Sequence, residues 1–200
     1  MEPRAQAAAR PMRDIVVVGA SQGGVDALSR LVAGLPADFP GSVFIVLHTL
    51  PSRRSLLPDI LGKAGLLHAR LAVDGDAIVR GQIVIAPPDN HLLIDNGFVR
   101  VVHGPKINGH RPAVDPLFRS AAQVYGPRVI GVVLTGGQDC GTVGLQDIKR
   151  HGGVAVVQDP ATAECPDMPA SAVTNVMIDH RLPLPEIPGA LVQLVREFVA

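Results

Sequence analysis

Residues 14–24 read DIVVVGASQGG, and the fold turns on that stretch. Ile15 to Val18 form an apolar, largely β-branched run, the signature of a buried strand. Gly19, Ala20, Ser21, Gln22, Gly23 and Gly24 follow at once. A helical pattern starts directly after, with Val25, Leu28, Leu31, Val32 and Leu35 on one face. Strand, small-residue turn and helix therefore succeed one another with a serine at the apex. That geometry lifts a hydroxyl above a sheet edge and aims helix N-terminal amides at it. A serine held there can be a nucleophile beside an oxyanion hole. The same turn can also hold an anion, or only cap the helix. It is not a dinucleotide loop, because Ser21 stands where the second glycine of G-x-G-x-x-G belongs. No Gly-Lys-Ser/Thr follows, which excludes a Walker loop.

Around this stretch, the chain of 200 residues has the size of one domain with a proper core. Hydrophobic residues make up 47% and charged residues 18%, a balance that favours a packed α/β domain over disorder. Net charge is zero and the densest basic cluster is Arg53-Arg54, so nucleic acid is not an expected partner. Aromatic residues are 3%, with no Trp and one Tyr, too few for base-stacking platforms. No apolar run approaches the roughly eighteen residues of a membrane span. Residues 1–13 hold Arg4, Arg10 and Arg13 without an apolar core, unlike a secretory signal. Cys140 and Cys165 have no metal-site spacing and read as free thiols of a cytoplasmic protein. No cofactor or metal is expected.

Residues 1–12 read as a flexible leader and 13–200 as a single domain. Ser42 to Leu47 is a second strand, ending before His48. A helix can run from Pro51 to about Lys63. Between Leu71 and His103, IVIAPP, HLLI and FVRVV are short strands split by turn residues, with Asn96-Gly97 a strong hairpin signal. Asp115–Tyr125 reads as a helix, Arg128–Leu134 as a core strand, Thr142–His151 as a helix and Val154–Val157 as a strand. Met168–Thr174 and Ile187–Val199 complete the pattern as helices. The expected fold is α/β: a doubly wound, mostly parallel sheet with helices on both faces and an antiparallel hairpin section near residues 71–103. Functional groups should gather beyond the carboxyl ends of the strands.

That rule selects Ser21 after the first strand, His48 after the second, and Asp139 with Cys140 in the loop after Leu134. Serine, histidine and a candidate acid thus arise independently at strand ends, and triads are recognised by role, not order. His48 could take the proton of Ser21 on attack. The amides around Gln22 and Gly23 could hold the oxyanion.

These residues also carry a family resemblance. GASQGG, the strand ending LH followed by TLP, IVIAPPDNH, HGP, RPAVDPLFRSAA, VVLTG…DCGTVGL and VVQDP…CPDMPASA together resemble the catalytic domain of the chemotaxis receptor methylesterase family (CheB type), from about Asp14 to about Val195. The resemblance implies hydrolysis of methyl esters on receptor glutamates and deamidation of certain glutamines, with Ser21 as nucleophile and His48 as general base. It implies a methyl-accepting chemoreceptor or similar methylated protein as substrate. It also implies a receiver domain ahead of the catalytic domain in the usual full-length protein. The expectation here is a stand-alone catalytic domain partnered by a separate receiver-domain regulator; the alternative is that the sequence is one part of a larger assembly.

The family's loop reads roughly L-[ST]-G-x-x-x-D-G, and its Asp orients the histidine. Counting from Leu134, that position is Cys140, and Asp139 falls one residue early. Cys140 as a thiolate could partly replace the carboxylate; alternatively the loop presents Asp139. Gln22 replaces a common Thr, and Gly137 a common Met. Arg111 and Arg119 could border a substrate groove; alternatively Arg119 pairs with Asp115, itself the expected cap of its own helix. Met168-Pro169 resembles a family Met-Pro near the active site, or simply starts a helix. The other histidines, His110 among them, receive no chemistry. A catalytically impaired, receptor- or partner-binding relative is the competing function, and Cys140 is the residue that favours it.

Overall fold

In the computed structural model, residues 11–48 and 55–199 are described. Strand β1 (Ile15–Ala20) is buried along its whole length because both faces of the sheet it sits in are covered. Helix α1 (Gly24–Ala33) carries the chain to β2 (Ser42–Leu47), which pairs with β1 in parallel register. Helix α2 (Leu57–Ala64), edge strand β3 (His68–Leu71) and β4 (Gln82–Ile85) follow. The hairpin of β5 (His91–Ile94) and β6 (Val99–Val102) is next, then α3 (Val114–Tyr125), β7 (Val129–Val133) and α4 (Thr142–Arg150). Strand β8 (Val154–Gln158), α5 (Asp167–Asn175), β9 (His180–Leu182) and α6 (Ile187–Leu194) close the fold. The main sheet runs β3-β4-β2-β1-β7-β8-β9, and every neighbouring pair in it is parallel.

The alternation of side chains along β1 divides the core in two. Val16, Val18 and Ala20 pack with Leu28 and Leu31 of α1, Leu61 of α2 and Leu191 of α6. Ile15 and Val17 pack on the other face with Phe118 of α3, Leu145 and Ile148 of α4, Ala172 of α5 and Leu92 of the hairpin. Each of the Val, Leu, Ile and Phe side chains among them contributes roughly 1.5–3 kcal/mol by leaving water.

The doubly wound sheet and the hairpin stand as expected, with one difference. Of the three short strands between Leu71 and His103, the first (β4) joins the main sheet beside β2, and only β5 and β6 are antiparallel. Their turn is the expected one: Gly97 has φ 85°, and Asp95 N–H donates to Phe98 O at 2.9 Å. Strands β3 and β9 escaped the sequence reading, being three or four residues long and only partly buried. The expected helix from Pro51 begins at Leu57 within the described residues; Pro51–Arg54 lie outside them.

One local expectation is corrected. Asp115 does not cap its own helix, whose N-cap is Ala113. Its buried carboxylate instead accepts the Gly141 and Gly144 N–H groups at 3.1 and 2.8 Å, capping α4 from a neighbouring helix. The last residues of the expected leader that are described, Pro11 and Met12, are tied down. Val199 N–H donates to Pro11 O at 2.9 Å and Met12 bridges Phe198.

Candidate active site

The order in which strands are added reverses between β1 and β7: the chain leaves β1 towards β2 and later returns on the other side. At such a switch point the loops beyond the strand ends part and leave room for a ligand. Ser21 sits there. Its N–H donates to Thr135 O at 3.0 Å, continuing the β1–β7 ladder, while His48 N–H donates to Ala20 O at 3.3 Å, continuing the β1–β2 ladder. Two ladders of backbone bonds therefore bring serine and histidine side by side. His48 Nδ1 lies 3.1 Å from Ser21 Oγ.

The turn after Ser21 depends on Gly23, the N-cap of α1, at φ 72°. A side chain there would be strained and would meet Glu164. The Gln22 and Gly23 amides head α1 beside the serine, where a helix leaves its first N–H groups without intrahelical acceptors. Thr135 fastens the turn from below. Its Oγ1 lies 3.0 Å from Gln22 O and accepts Cys165 N–H at 2.9 Å. Gly136 is the close-approach position: a Cβ there would collide with Met168 Sδ and come within 2.8 Å of Ser21 Cβ. Met168, fully buried, thus packs one glycine away from Ser21.

His48 is half-buried, and its pKa falls from 6.5 to about 4. Burial is the larger cause, and the nearby His110 adds to it by repelling a second positive charge. The imidazole is therefore neutral at pH 7 and able to accept a proton. Its second nitrogen, Nε2, is buried and meets no hydrogen-bond partner among the described residues.

Neither candidate acid is bonded to that nitrogen. Asp139 is exposed, and its carbonyl accepts from Thr142 N–H at 3.1 Å at the start of α4. Cys140 is fully buried, and its Sγ accepts the Val114 N–H at 3.3 Å. Burial, followed by the charge of the adjacent Asp115, pushes its thiol up to about 12. That burial and that neighbouring charge favour the protonated thiol of Cys140 over the thiolate.

The two arginines have structural partners. Arg111 gives Nε and Nη2 to Asp89 Oδ1 at 2.9 and 2.7 Å and Nη1 to Gly104 O at 2.6 Å. Arg119 pairs with Asp147 of α4 at 3.0 Å and not with Asp115. Among the described residues no group of three His, Cys, Asp or Glu side chains could hold a metal ion. No helix among them is long and apolar enough to cross a membrane.

The residue that sequence reasoning missed is His110. Its ring stacks on His48 with centroids 3.7 Å apart and planes 4° from parallel. It arrives on a two-residue turn, Asn108-Gly109, both at positive φ, with reciprocal backbone bonds between Ile107 and His110 at 3.0 and 2.9 Å. Asn-Gly between potential pairing residues was a legible hairpin signal. That the turn folds over His48 was not legible.

The model of the family described as CheB methylesterase matches residues 16–191. A protein-glutamate methylesterase/protein-glutamine glutaminase 2 of Anaeromyxobacter dehalogenans is 41% identical over 196 residues, covering 98% of this chain and 58% of that protein. The chain thus spans a little over half the length of the first curated relatives it matches. A shorter relative from Leptospira interrogans, a putative enzyme of the same name, is 37% identical over 90% of this chain and 94% of its own length. The crystal structure of the Thermotoga maritima CheB methylesterase catalytic domain superposes with a TM-score of 0.87 at 35% identity, covering 91% of this chain and 98% of that one. Matched over nearly its whole length in both sequence and fold, this chain belongs to the CheB methylesterase family.

Proposed function

We propose that this chain is a cytoplasmic serine hydrolase that removes methyl esters from glutamates, and amide nitrogen from glutamines, on a chemoreceptor-type protein. The observation that carries the reading is the 3.1 Å approach of His48 Nδ1 to Ser21 Oγ, made by a neutral imidazole. Ser21 Oγ attacks the ester or amide carbonyl carbon while its proton passes to His48. The oxyanion forms against the Gln22 and Gly23 amides at the head of α1. Collapse expels methanol or ammonia, which takes the proton from His48. Water then attacks the acyl-serine, His48 receives the water proton, and Ser21 returns as a free glutamate is released.

The missing carboxylate sets the expected rate. An orienting acid holds the tautomer and stabilises imidazolium, and its loss in the serine protease triad costs roughly ten-thousandfold in turnover. Here the third position is a neutral thiol, and the imidazole is a weak base. Turnover well below that of a complete triad follows. The same observation favours a second reading, a relative that binds the receptor without hydrolysing it.

A fluorophosphonate probe and methanol release from a methylated receptor separate the two. The hydrolase is expected to be labelled at Ser21, with labelling and methanol release both lost in Ser21→Ala and His48→Ala. A folded protein that binds the receptor but shows neither signal would establish the binding reading instead.

A further inference from the structure

We infer that His110 is the positioning residue of the site, holding the His48 ring by face-to-face stacking in place of a hydrogen-bonded carboxylate. The inference rests on the Ser21–His48 pair of the preceding section and says what controls it.

A catalytic imidazole must present one nitrogen to its serine and be prevented from turning away. In a triad the acid on the far nitrogen does this. Here the far nitrogen, Nε2, has no hydrogen-bond partner among the described residues, and none of them fixes the ring from that side. The flat face is held instead. Centroids 3.7 Å apart and planes within 4° leave a ring no freedom to rotate about its χ2 axis without colliding with its neighbour.

The stack can do this only if His110 is itself immobile, and its loop is braced at both feet. His91, buried below it, bonds through Nε2 to Pro105 O at 2.9 Å and accepts the Ala113 N–H on Nδ1 at 3.2 Å. One imidazole thus clamps the segment on either side of His110. Asp89 grips Arg111, the next residue, and Arg111 in turn holds Gly104 O. Between these clamps the Asn108-Gly109 turn closes on itself through the Ile107–His110 pair. Two polar networks and a tight turn are thus spent on presenting a side chain that makes no hydrogen bond to the serine.

Stacked imidazoles also share a charge constraint, because two imidazolium rings in contact repel. The other charged groups of the segment, Lys106, His103 and Arg111, act on Asp89. The charge of Asp115, in α3, acts on Cys140. Burial is the larger cause of the lowered His48 pKa, and among the described residues His110 adds to it, so the base stays free as the solution becomes acidic.

The test compares His110→Ala, which removes the stacking face, with His110→Phe, which keeps a flat ring and removes the charge. Two readouts are used: kcat and KM on a glutamate methyl ester peptide, and the 15N-detected titration of the His48 ring. His110→Ala is expected to lower kcat by tenfold or more with KM unchanged, and to broaden or split the His48 signals. His110→Phe is expected to return kcat to within about threefold of wild type while moving the His48 titration, and the acid limb of kcat/KM, to higher pH. Circular dichroism confirms that both variants fold. The inference is overturned if His110→Ala keeps wild-type kcat and an unaltered His48 titration, or if Phe rescues nothing. A wild-type protein with no hydrolysis and no Ser21 labelling would sink the proposed function alone. The ring titration would still decide whether His110 governs His48.

Discussion

Counted along its loop, the resemblance puts Cys140 where the family's acid is expected, and its surroundings oppose a negative charge there. The thiol is enclosed, bonded to the Val114 N–H and beside the Asp115 carboxylate, so a negative charge there is opposed both by burial and by a like charge. Its work is local. Cys140→Ala orphans a buried amide and opens a small void, and is expected to cost about 1–3 kcal/mol of stability with kcat changed less than threefold. Urea unfolding and methanol release on the same samples check both halves. Cys140→Asp is expected to trade stability for turnover. The new carboxylate crowds Asp115 and lowers the melting temperature, while an acid restored at the family's position raises kcat, by up to roughly ten-thousandfold. A collapse of kcat in Asp139→Asn, with no gain in Cys140→Asp, would transfer the role to the exposed neighbour.

At the scale of elements, the site is a convergence of loops whose helices lend each other their ends. Helix α4 begins after a left-handed glycine and has no capping side chain of its own; Asp115 from α3 supplies it. The same α3–α4 contact encloses Cys140. Asp115→Ala is expected to cost about 1–3 kcal/mol, since two helix-start amides lose their acceptor at once. Asp115→Asn, which keeps one carbonyl oxygen, should cost less. Chemical denaturation resolves the pair, and equal losses would show that charge against the helix dipole outweighs the bonds. Thr135 plays the comparable part for the serine turn. It ties the loop after β7 both to the start of α1 and to the loop before α5.

For the whole molecule, the proton on His48 links the site to global stability. The folded protein binds that proton only below about pH 4, whereas an unfolded histidine binds it below about 6.5. Between those values the unfolded chain is the more protonated state, so His48 withdraws stability as pH falls through the window and has no effect above it. The effect should be on the order of 2 kcal/mol once partial exposure is allowed for. Urea midpoints of wild type and His48→Gln, compared at pH 7.5, 5.5 and 4, check it. Their stability difference should shift towards the variant on acidification, and a difference independent of pH would mean that His48 is not held neutral in the fold. At the opposite end of β1, Asp14 is buried between Arg80 and Arg128 at 2.8 Å each and stays clear of this chemistry.

What the sequence determined by itself is the material that obeys local rules. The β-branched run Ile15–Val18, the small-residue turn at Ser21, the Asn96-Gly97 hairpin and the strand-end placement of His48 all follow from periodicity and turn chemistry within a few residues. Edge strands β3 and β9 were illegible because they are short and half exposed, so neither face imposes a pattern. Tertiary structure alone decided the partners of polar groups: Asp115 with α4, Arg119 with Asp147, Arg111 with Asp89, and His110 on His48. Those pairings join residues far apart in the chain, and a side chain's nearest charge or ring is set by how the elements pack. No spacing along the sequence encodes that His110, 62 positions beyond His48, comes to rest against its face.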